Sequence, residues 1–419
     1  MNLSIVIPAF NEKENLIKLI PEIRKIISEI TNSYEIIVVD KGSADGTLEL
    51  DLGLNTKIIK QKMPGYGGAL REGFNLSKGE YIITMDADQS HEPLYVKDLW
   101  EKRNEADLIV ASRYVSGGRA DMPYIRKLLS IFLNELYTYV LSLPYKDISS
   151  GYRLYNANIV KAIHLTKSGF SMLQELLSKF HCEGYKIIEV PFSYKPRIHG
   201  ESTVRLWRMA SSYLVTLFEM WKLRNSLDSA DYDERAYKSR ILPQRYWQRK
   251  RYKIVTNMLK HKDNVLDIGC GTSKIIQSMP KAVGLDLNHR SLRYLNKKGN
   301  ISVEGAIEEL PFKNSIFETV ICSQLIEHIP KENFKPEEIE RVLKRKGIFI
   351  LGTPDYEKKW WCFTEWVYKK LIPGGYGMQH ITRYTSSEIE NIFCKRGWKI
   401  LDKKYVLGME VIYKLQKAL

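Results

Sequence analysis

Short apolar runs punctuate the first half of the chain at Leu3 to Pro8, Glu35 to Asp40, Tyr81 to Met85 and Asp107 to Ala111. Runs of about four to eight such residues, bounded by turn-forming residues, read as buried strands. Between them, Glu14 to Ile30 and Ala69 to Ser77 repeat apolar residues at helical spacing. Buried strands alternating with amphipathic helices predict an open, mostly parallel α/β sheet. A second series begins near Asn264 with NVLDIG and continues through AVGLD, FETVICS and GIFILGT. The segment between the two series, Asn225 to Arg240, is densely charged with little apolar periodicity, which predicts a linker leading into the first helix of a second domain. The boundary is expected near Leu227, giving domains over 1–226 and 227–419, the first ending in an amphipathic helix and the second including an N-terminal linker helix.

Composition narrows the class. The 419 residues suit two to four domains at ~100–200 residues each, and 44% hydrophobic with 27% charged residues excludes disordered and fibrous chains. The longest apolar stretch, Leu128 to Leu143, is broken by Asn134 and Glu135, so a membrane-spanning helix is not expected. The chain opens on a strand-like LSIVIP without a charged-then-apolar leader, from which we expect a cytoplasmic protein. Five cysteines stand far apart with no Cys-x-x-Cys pair, against a disulfide framework or a thiolate zinc site. The net charge of +15 favours an anionic partner. No Cys/His finger or aromatic-basic RNA motif accompanies it, so no nucleic acid is expected.

The chemistry-bearing residues cluster where the predicted strands end, the place where open sheets hold ligands. PAFNEKENL (Pro8 to Leu16) follows the first strand, Asp40 closes the second ahead of Lys41 and GSADGT, and MDADQSHEP follows Tyr81 to Met85. Asp86 and Asp88, two residues apart, can bring carboxylates to one divalent ion. Magnesium or manganese bridging a diphosphate there would stabilise charge on a departing nucleotide.

With ASRYVSGG, ISSGYRLY and HGEST, these motifs resemble the family 2 glycosyltransferases of GT-A fold, and more closely the dolichyl- or polyprenyl-phosphate mannosyltransferases, over about Met1 to Leu223. The resemblance implies a GDP- or UDP-sugar donor near Pro8, Asn11, Glu12, Asp40 and Asp86. It further implies a metal held by Asp86 and Asp88 with Gln89 and Ser90, and an acceptor phosphate at Arg113, Arg126, Ser130 and Arg197. Of these, Asp88 and Arg113 are the expected catalytic groups. Arginine suits a lipid phosphate because its planar donors engage the oxygens in pairs. Lys41 departs from the pattern, a second carboxylate being usual there. The reaction implied is inverting hexose transfer to a polyprenyl or dolichyl phosphate, and a phosphate that is already an anion needs no strong general base. Two amphipathic stretches, Ile125 to Leu143 and Val204 to Leu223, can bring such a site peripherally to the cytoplasmic face of a membrane; an ordinary core helix has the same pattern. The alternative is a non-lipid saccharide acceptor with a non-catalytic cofactor-binding second domain.

In the second series, NVLDIGCGTSK joins a strand to a glycine turn, and Asp286 closes the next strand 19 residues after Asp267. Glycines admit close backbone approach and an acid at about that distance can hold ribose hydroxyls. With ELPFKNSIFETVICSQLIEHI, this resembles the class I methyltransferases over about Asp231 to Leu419, implying S-adenosyl-L-methionine (AdoMet) at Asp267, Gly269, Gly271, Asp286 and Glu308. Ser273 and Ala306 depart from that pattern, where a third glycine and an aspartate are common. His328 and His380 fall on the methyl-acceptor side, as proton acceptors or as structural residues. Trp360, Trp361, Phe363 and Trp366 are expected to cover a substrate pocket, to pack in a core or to face a membrane.

Overall fold

The computed structural model describes residues 1–196, 206–259, 263–371 and 380–417. The chain divides into two compact units, one of residues 1–181 with 185–221 and one of residues 182–184 with 222–419. Arg197 and the HGEST motif lie outside the described residues.

In the first unit the strands are β1 (Leu3–Ala9), β2 (Tyr34–Asp40), β3 (Thr56–Lys60), β4 (Tyr81–Thr84), β5 (Leu108–Ser112), β6 (Arg119–Ala120), β7 (Arg153–Asn156), β8 (Ile187–Pro191) and β9 (Ser193–Tyr194). Seven form one sheet in the order β3-β2-β1-β4-β7-β5-β8, while β6 pairs with β9. All contacts in the large sheet are parallel except those of β7, which runs antiparallel to β4 and β5. Leu3, Ile5, Val6 and Ile7 of β1 and Ile36 to Val39 of β2 are fully buried, as strands covered on both faces require. Helix Lys13–Ser28 drives Leu16, Leu19, Ile20, Ile23 and Ile27 into this core, and helix Gly65–Leu76 contributes Leu70 and Phe74. β1 lies between β2 and β4. The chain therefore leaves in opposite directions on its two sides, and the crevice beyond the carboxyl ends of β1, β2 and β4 is the topological switch point.

The second unit repeats the principle with β10 (Val265–Ile268), β11 (Val283–Asp286), β12 (Ile301–Glu304), β13 (Phe317–Ser323), β14 (Leu343–Pro354), β15 (Trp398–Val406) and β16 (Glu410–Lys417), ordered β12-β11-β10-β13-β14-β16-β15. β12 to β14 pair in parallel through β10, and β16 runs antiparallel to both β14 and β15. β10, flanked by β11 and β13, again sits at the switch point.

The charged segment expected as a linker is structured. Tyr232–Tyr237 is helical, and buried Arg224 donates from Nη2 to Asp231 Oδ2 at 2.9 Å and from Nη1 to Ser229 Oγ at 2.7 Å. A guanidinium that finds its acceptors within seven residues supplies local order that apolar periodicity does not report. Among the described residues, no helix is long and apolar enough to cross a membrane.

Candidate functional site

In the first unit, the loops leaving β1, β2, β4 and β5 and the helices Tyr124–Leu141 and Leu206–Arg224 enclose a cavity of about 1050 Å³. Pro8, Glu12, Lys41, Asp86, Asp88, His91 and Arg113 line one part of it, and Leu129, Phe132, Leu133, Leu136, Tyr213, Leu214 and Leu217 line another. The helices are tied by Tyr137, whose hydroxyl donates to the Tyr213 carbonyl at 2.5 Å. The apolar lining is open to solvent: Ile125 is 73%, Phe132 65% and Leu214 60% exposed.

Each polar residue is positioned by specific bonds. Asp88 is buried, and its Oδ1 accepts from the Ser90 hydroxyl at 2.5 Å and the Ser90 amide at 3.1 Å. Ser90 thus orients the carboxylate, while Gln89, in a left-handed conformation (φ 61°), donates to the Asn15 carbonyl at 3.5 Å. Asp86 is held by two residues that the sequence did not single out. Tyr66 donates its hydroxyl to Asp86 Oδ1 at 3.2 Å, and His91 Nδ1 accepts the Asp86 amide at 2.9 Å. That bond requires Nδ1 to be unprotonated, so the proton sits on Nε2, 3.7 Å from Asp86 Oδ2. Burial first, then the Asp86 charge, raises the Tyr66 hydroxyl well above its ordinary value, keeping it a donor. A Cβ on Gly151 would stand 2.5 Å from the Tyr66 hydroxyl oxygen, so only glycine leaves room for this contact.

Asp40 and Asn11 hold the loops rather than line the cavity. The buried Asp40 carboxylate accepts from the amides of Gly42 and Ser43 at 2.7 and 2.8 Å and from the Ser43 hydroxyl. Asn11, at φ 55°, accepts from the Ala44 amide at 3.0 Å and donates its own amide to Ser43 Oγ at 2.6 Å. Lys41 lines the cavity, with Nζ 4.7 Å over the Phe10 ring.

Arg113, 11% exposed at its side chain, engages Asp147 through Nε to Oδ2 at 2.8 Å and Nη2 to Oδ1 at 2.7 Å. Nη2 also donates to Ser149 Oγ at 2.7 Å. Burial pushes the Asp147 carboxyl up, and the Arg113 guanidinium with its hydrogen bonds outweighs that, holding it below the usual carboxylate range. This fork fixes the guanidinium plane and leaves Nη1 for a ligand. Arg126 is exposed at the cavity rim, and Ser130 accepts the Tyr114 hydroxyl at 2.7 Å.

In the second unit, three carboxylates surround the glycine loop after β10. Asp286 Oδ2 accepts the Gly271 amide and Oδ1 the Asn288 amide, each at 2.8 Å, while Asp233 Oδ2 accepts the Thr272 amide at 3.0 Å. Asp233 comes from helix Tyr232–Tyr237 and carried no sequence signal. Asp267 is buried, and its Oδ2 has no hydrogen-bond partner among the described residues. Burial, then Asp286 and Asp233, pushes its carboxyl up to about 8. A cationic ligand meeting the orphaned oxygen would offset that burial and repulsion and favour the charged form of the carboxyl. Gly269 has φ 67°, and a Cβ there would meet the Leu325 side chain at 3.0 Å. Glu308 accepts from Asn333 Nδ2 at 3.0 Å. His328 and His380 stand together, ring centroids 4.8 Å apart. Trp360, Phe363 and Trp366 are exposed on helix Lys359–Leu371, Trp360 by 73%.

The glycosyl transferase family 2 model matches residues 4–163 and a methyltransferase domain model matches residues 266–351. The chain is 33% identical over 239 residues to a dolichol-phosphate mannosyltransferase of Pyrococcus furiosus, covering 54% of this chain and 66% of that protein. It is 30% identical over 243 residues to a polyprenol monophosphomannose synthase of Mycolicibacterium smegmatis, covering 54% of this chain and 89% of that protein. A crystal structure of glucosyl-3-phosphoglycerate synthase from Mycobacterium tuberculosis, in complex with Mn2+, UDP and glucosyl-3-phosphoglycerate, aligns at 18% identity and TM-score 0.44, covering 52% of this chain and 79% of that one. The first family match spans the strand ends and loops that present Pro8, Asp86, Asp88 and Arg113, and the second begins in the strand ahead of the carboxylate-ringed glycine loop. The chain belongs to the family 2 glycosyltransferases, its glycosyltransferase domain similar to polyprenol-phosphate mannose synthases and followed by a methyltransferase domain.

Proposed function

We propose that the first domain transfers a hexose, with inversion, from a GDP- or UDP-sugar to a polyprenyl or dolichyl phosphate, and that the second methylates a related glycan or glycolipid with AdoMet. The observation that carries the first part is the composition of the cavity, in which carboxylates and an arginine share one enclosure with an apolar lining drawn from two helices. That combination suits a phosphate head on a hydrocarbon chain. Arg113, its plane set by Asp147, meets the acceptor phosphate through Nη1, with Arg126 at the rim and Ser130 nearby. Pro8 and Glu12 border the donor, and Lys41, a donor group where a second carboxylate is usual, engages a carbonyl oxygen of the base. Asp86 and Asp88 are hard oxygen donors suited to magnesium or manganese, which when bound supplies charge stabilisation to the departing diphosphate. The acceptor phosphate oxygen attacks the anomeric carbon as the bond to the nucleoside diphosphate breaks.

In the second domain, Asp267 and Asp286 with the amides of the glycine loop suit the ammonium and ribose hydroxyls of AdoMet. The exposed apolar residues of the two helices support peripheral attachment to a membrane, which we propose is at its cytoplasmic face. Purified full-length protein, supplied with GDP- or UDP-hexoses, a short prenyl phosphate and magnesium or manganese, is expected to yield a glycosylated lipid phosphate. Asp88→Ala abolishes that product. Transfer to a free saccharide with none to prenyl phosphate would refute the reading.

A further inference from the structure

In the second domain, Glu327 and His328 on the turn after β13 meet His380, a residue distant in sequence. Ligating atoms of the three lie within 4.8 Å of one another. Glu327 is fully buried; Oε2 accepts the Thr353 hydroxyl at 3.0 Å, whereas Oε1 has no hydrogen-bond partner among the described residues. A carboxylate oxygen left alone in the interior is costly unless a cation or a proton meets it.

The surroundings hold these groups in place. The Glu327 carbonyl accepts the amides of Ile381 and Thr382 at 3.0 and 3.1 Å, which pins the backbone beside His380 to the turn. The His380 ring is 3% exposed, and its Nδ1 stands 3.1 Å from Glu365 Oε1 and 2.9 Å from the Tyr356 hydroxyl. A carboxylate there requires the proton on Nδ1 and leaves the Nε2 lone pair available. A histidine whose other nitrogen donates to a carboxylate is oriented and made more basic for a metal. Two imidazoles and one carboxylate form a borderline nitrogen–oxygen set that suits zinc, manganese or cobalt. Bonds of about 2.1 Å need ligand atoms roughly 3.4 Å apart in a tetrahedral set, so the cluster closes by up to about 1.4 Å around an ion.

We propose that Glu327, His328 and His380 form a divalent-metal site in the second domain, with at least one open coordination position for a hydroxyl oxygen of the methyl acceptor. The hydroxyl role rests on the methyl-transfer reading; the ion site does not. In that role the coordinated hydroxyl releases its proton to solvent and its oxygen attacks the sulfonium methyl. The carbon–sulfur bond breaks, its electron pair stays on sulfur, and a neutral thioether leaves.

Cobalt tests the ion site without methyl transfer. The full-length Asp88→Ala chain, which removes a carboxylate expected to hold metal in the first domain, is stripped with chelator and titrated with Co2+. One equivalent is expected to bind with visible d–d absorption. His328→Ala and His380→Ala are expected to lose that band, and Glu365→Gln to weaken binding about 10- to 100-fold. Folding of each variant is checked by circular dichroism. If the histidine variants fail to fold, Glu327→Gln, which keeps the side-chain shape and the Thr353 bond, takes their place and is expected to lose the band. An unchanged band in the folded variants, or no band from folded Asp88→Ala protein, would overturn the proposal. Cobalt binding without methyl transfer to any hydroxyl acceptor would retain the ion and remove its substrate role.

Discussion

Asp147→Asn tests whether Arg113, proposed to meet the acceptor phosphate, is positioned by its buried partner. The Asp147 carboxylate is fully buried and accepts from the amide, Nε and Nη2 of Arg113, from Ser149 Oγ and from the Ser150 amide. Every one of these partners is a donor, so an amide in its place aims its own N–H groups at hydrogens and leaves the Arg113 charge uncompensated. Removing one member of a buried pair costs about 3–5 kcal/mol. For a domain of this size, that lowers the melting midpoint by roughly 6–20 °C. In calorimetry of the full chain, the affected transition is the one that the donor nucleotide shifts upward. The effect has a defined pH range: a carboxyl held below its ordinary 3.8 contributes stability that is fully present above that value and lost as pH falls through its folded value. The deficit of the variant is therefore constant between pH 5 and 8. With the guanidinium plane released, KM for prenyl phosphate rises at least about tenfold, equivalent to 1.4 kcal/mol. A midpoint within about 1 °C of the parent and an unchanged acceptor KM would refute the reasoning.

Further expectations follow from the same geometry. Gly151→Ala drives a methyl group into the Tyr66 hydroxyl, an overpacking worth about 1–3 kcal/mol, and by displacing Tyr66 from Asp86 lowers sugar transfer at least about tenfold, measured as kcat with the fold checked by circular dichroism. Chelation of divalent ions abolishes sugar transfer, and magnesium or manganese restores it to the parent but not to Asp88→Ala. Asp267 ionises near pH 8 in the folded chain against 3.8 ordinarily, so its protonated form stabilises the fold and that stability is lost as pH rises from about 4 through 8. Asp267→Asn is expected to flatten the fall in denaturation midpoint over that range and to weaken AdoMet binding in calorimetric titration at least about tenfold.

What the sequence made legible follows from the range of each interaction. β1, β2 and β10 are short, bounded by turn residues and buried on both faces, so a run of apolar letters reports them directly. β3 was not foreseen because Thr56 to Lys60 is a half-exposed edge strand with lysines at both ends of its Ile-Ile pair. β7 escaped because its buried Arg153 is satisfied by the carbonyls of Ile148, Ser150 and Leu173, which no local pattern encodes. The site divides in the same way. Asp86, Asp88, Arg113, Asp267 and Asp286 stand within a few residues of strand ends, where motif order locates them. Tyr66, Asp147 and Asp233 reach their partners across 20, 34 and 39 residues, so only the folded chain brings them in. His91 sat within a motif, yet its role depends on a backbone amide five residues earlier.

The central claim is that one cavity reads a phosphate and the hydrocarbon attached to it. It is tested most directly by kcat/KM for sugar transfer to prenyl phosphates of increasing length, with inorganic phosphate and a free saccharide alongside. Each buried methylene contributes up to about 0.8 kcal/mol, so kcat/KM is predicted to climb steeply with the first isoprene units and then level off as the cavity fills. Equal efficiency at every length, or preference for the saccharide, would contradict the account.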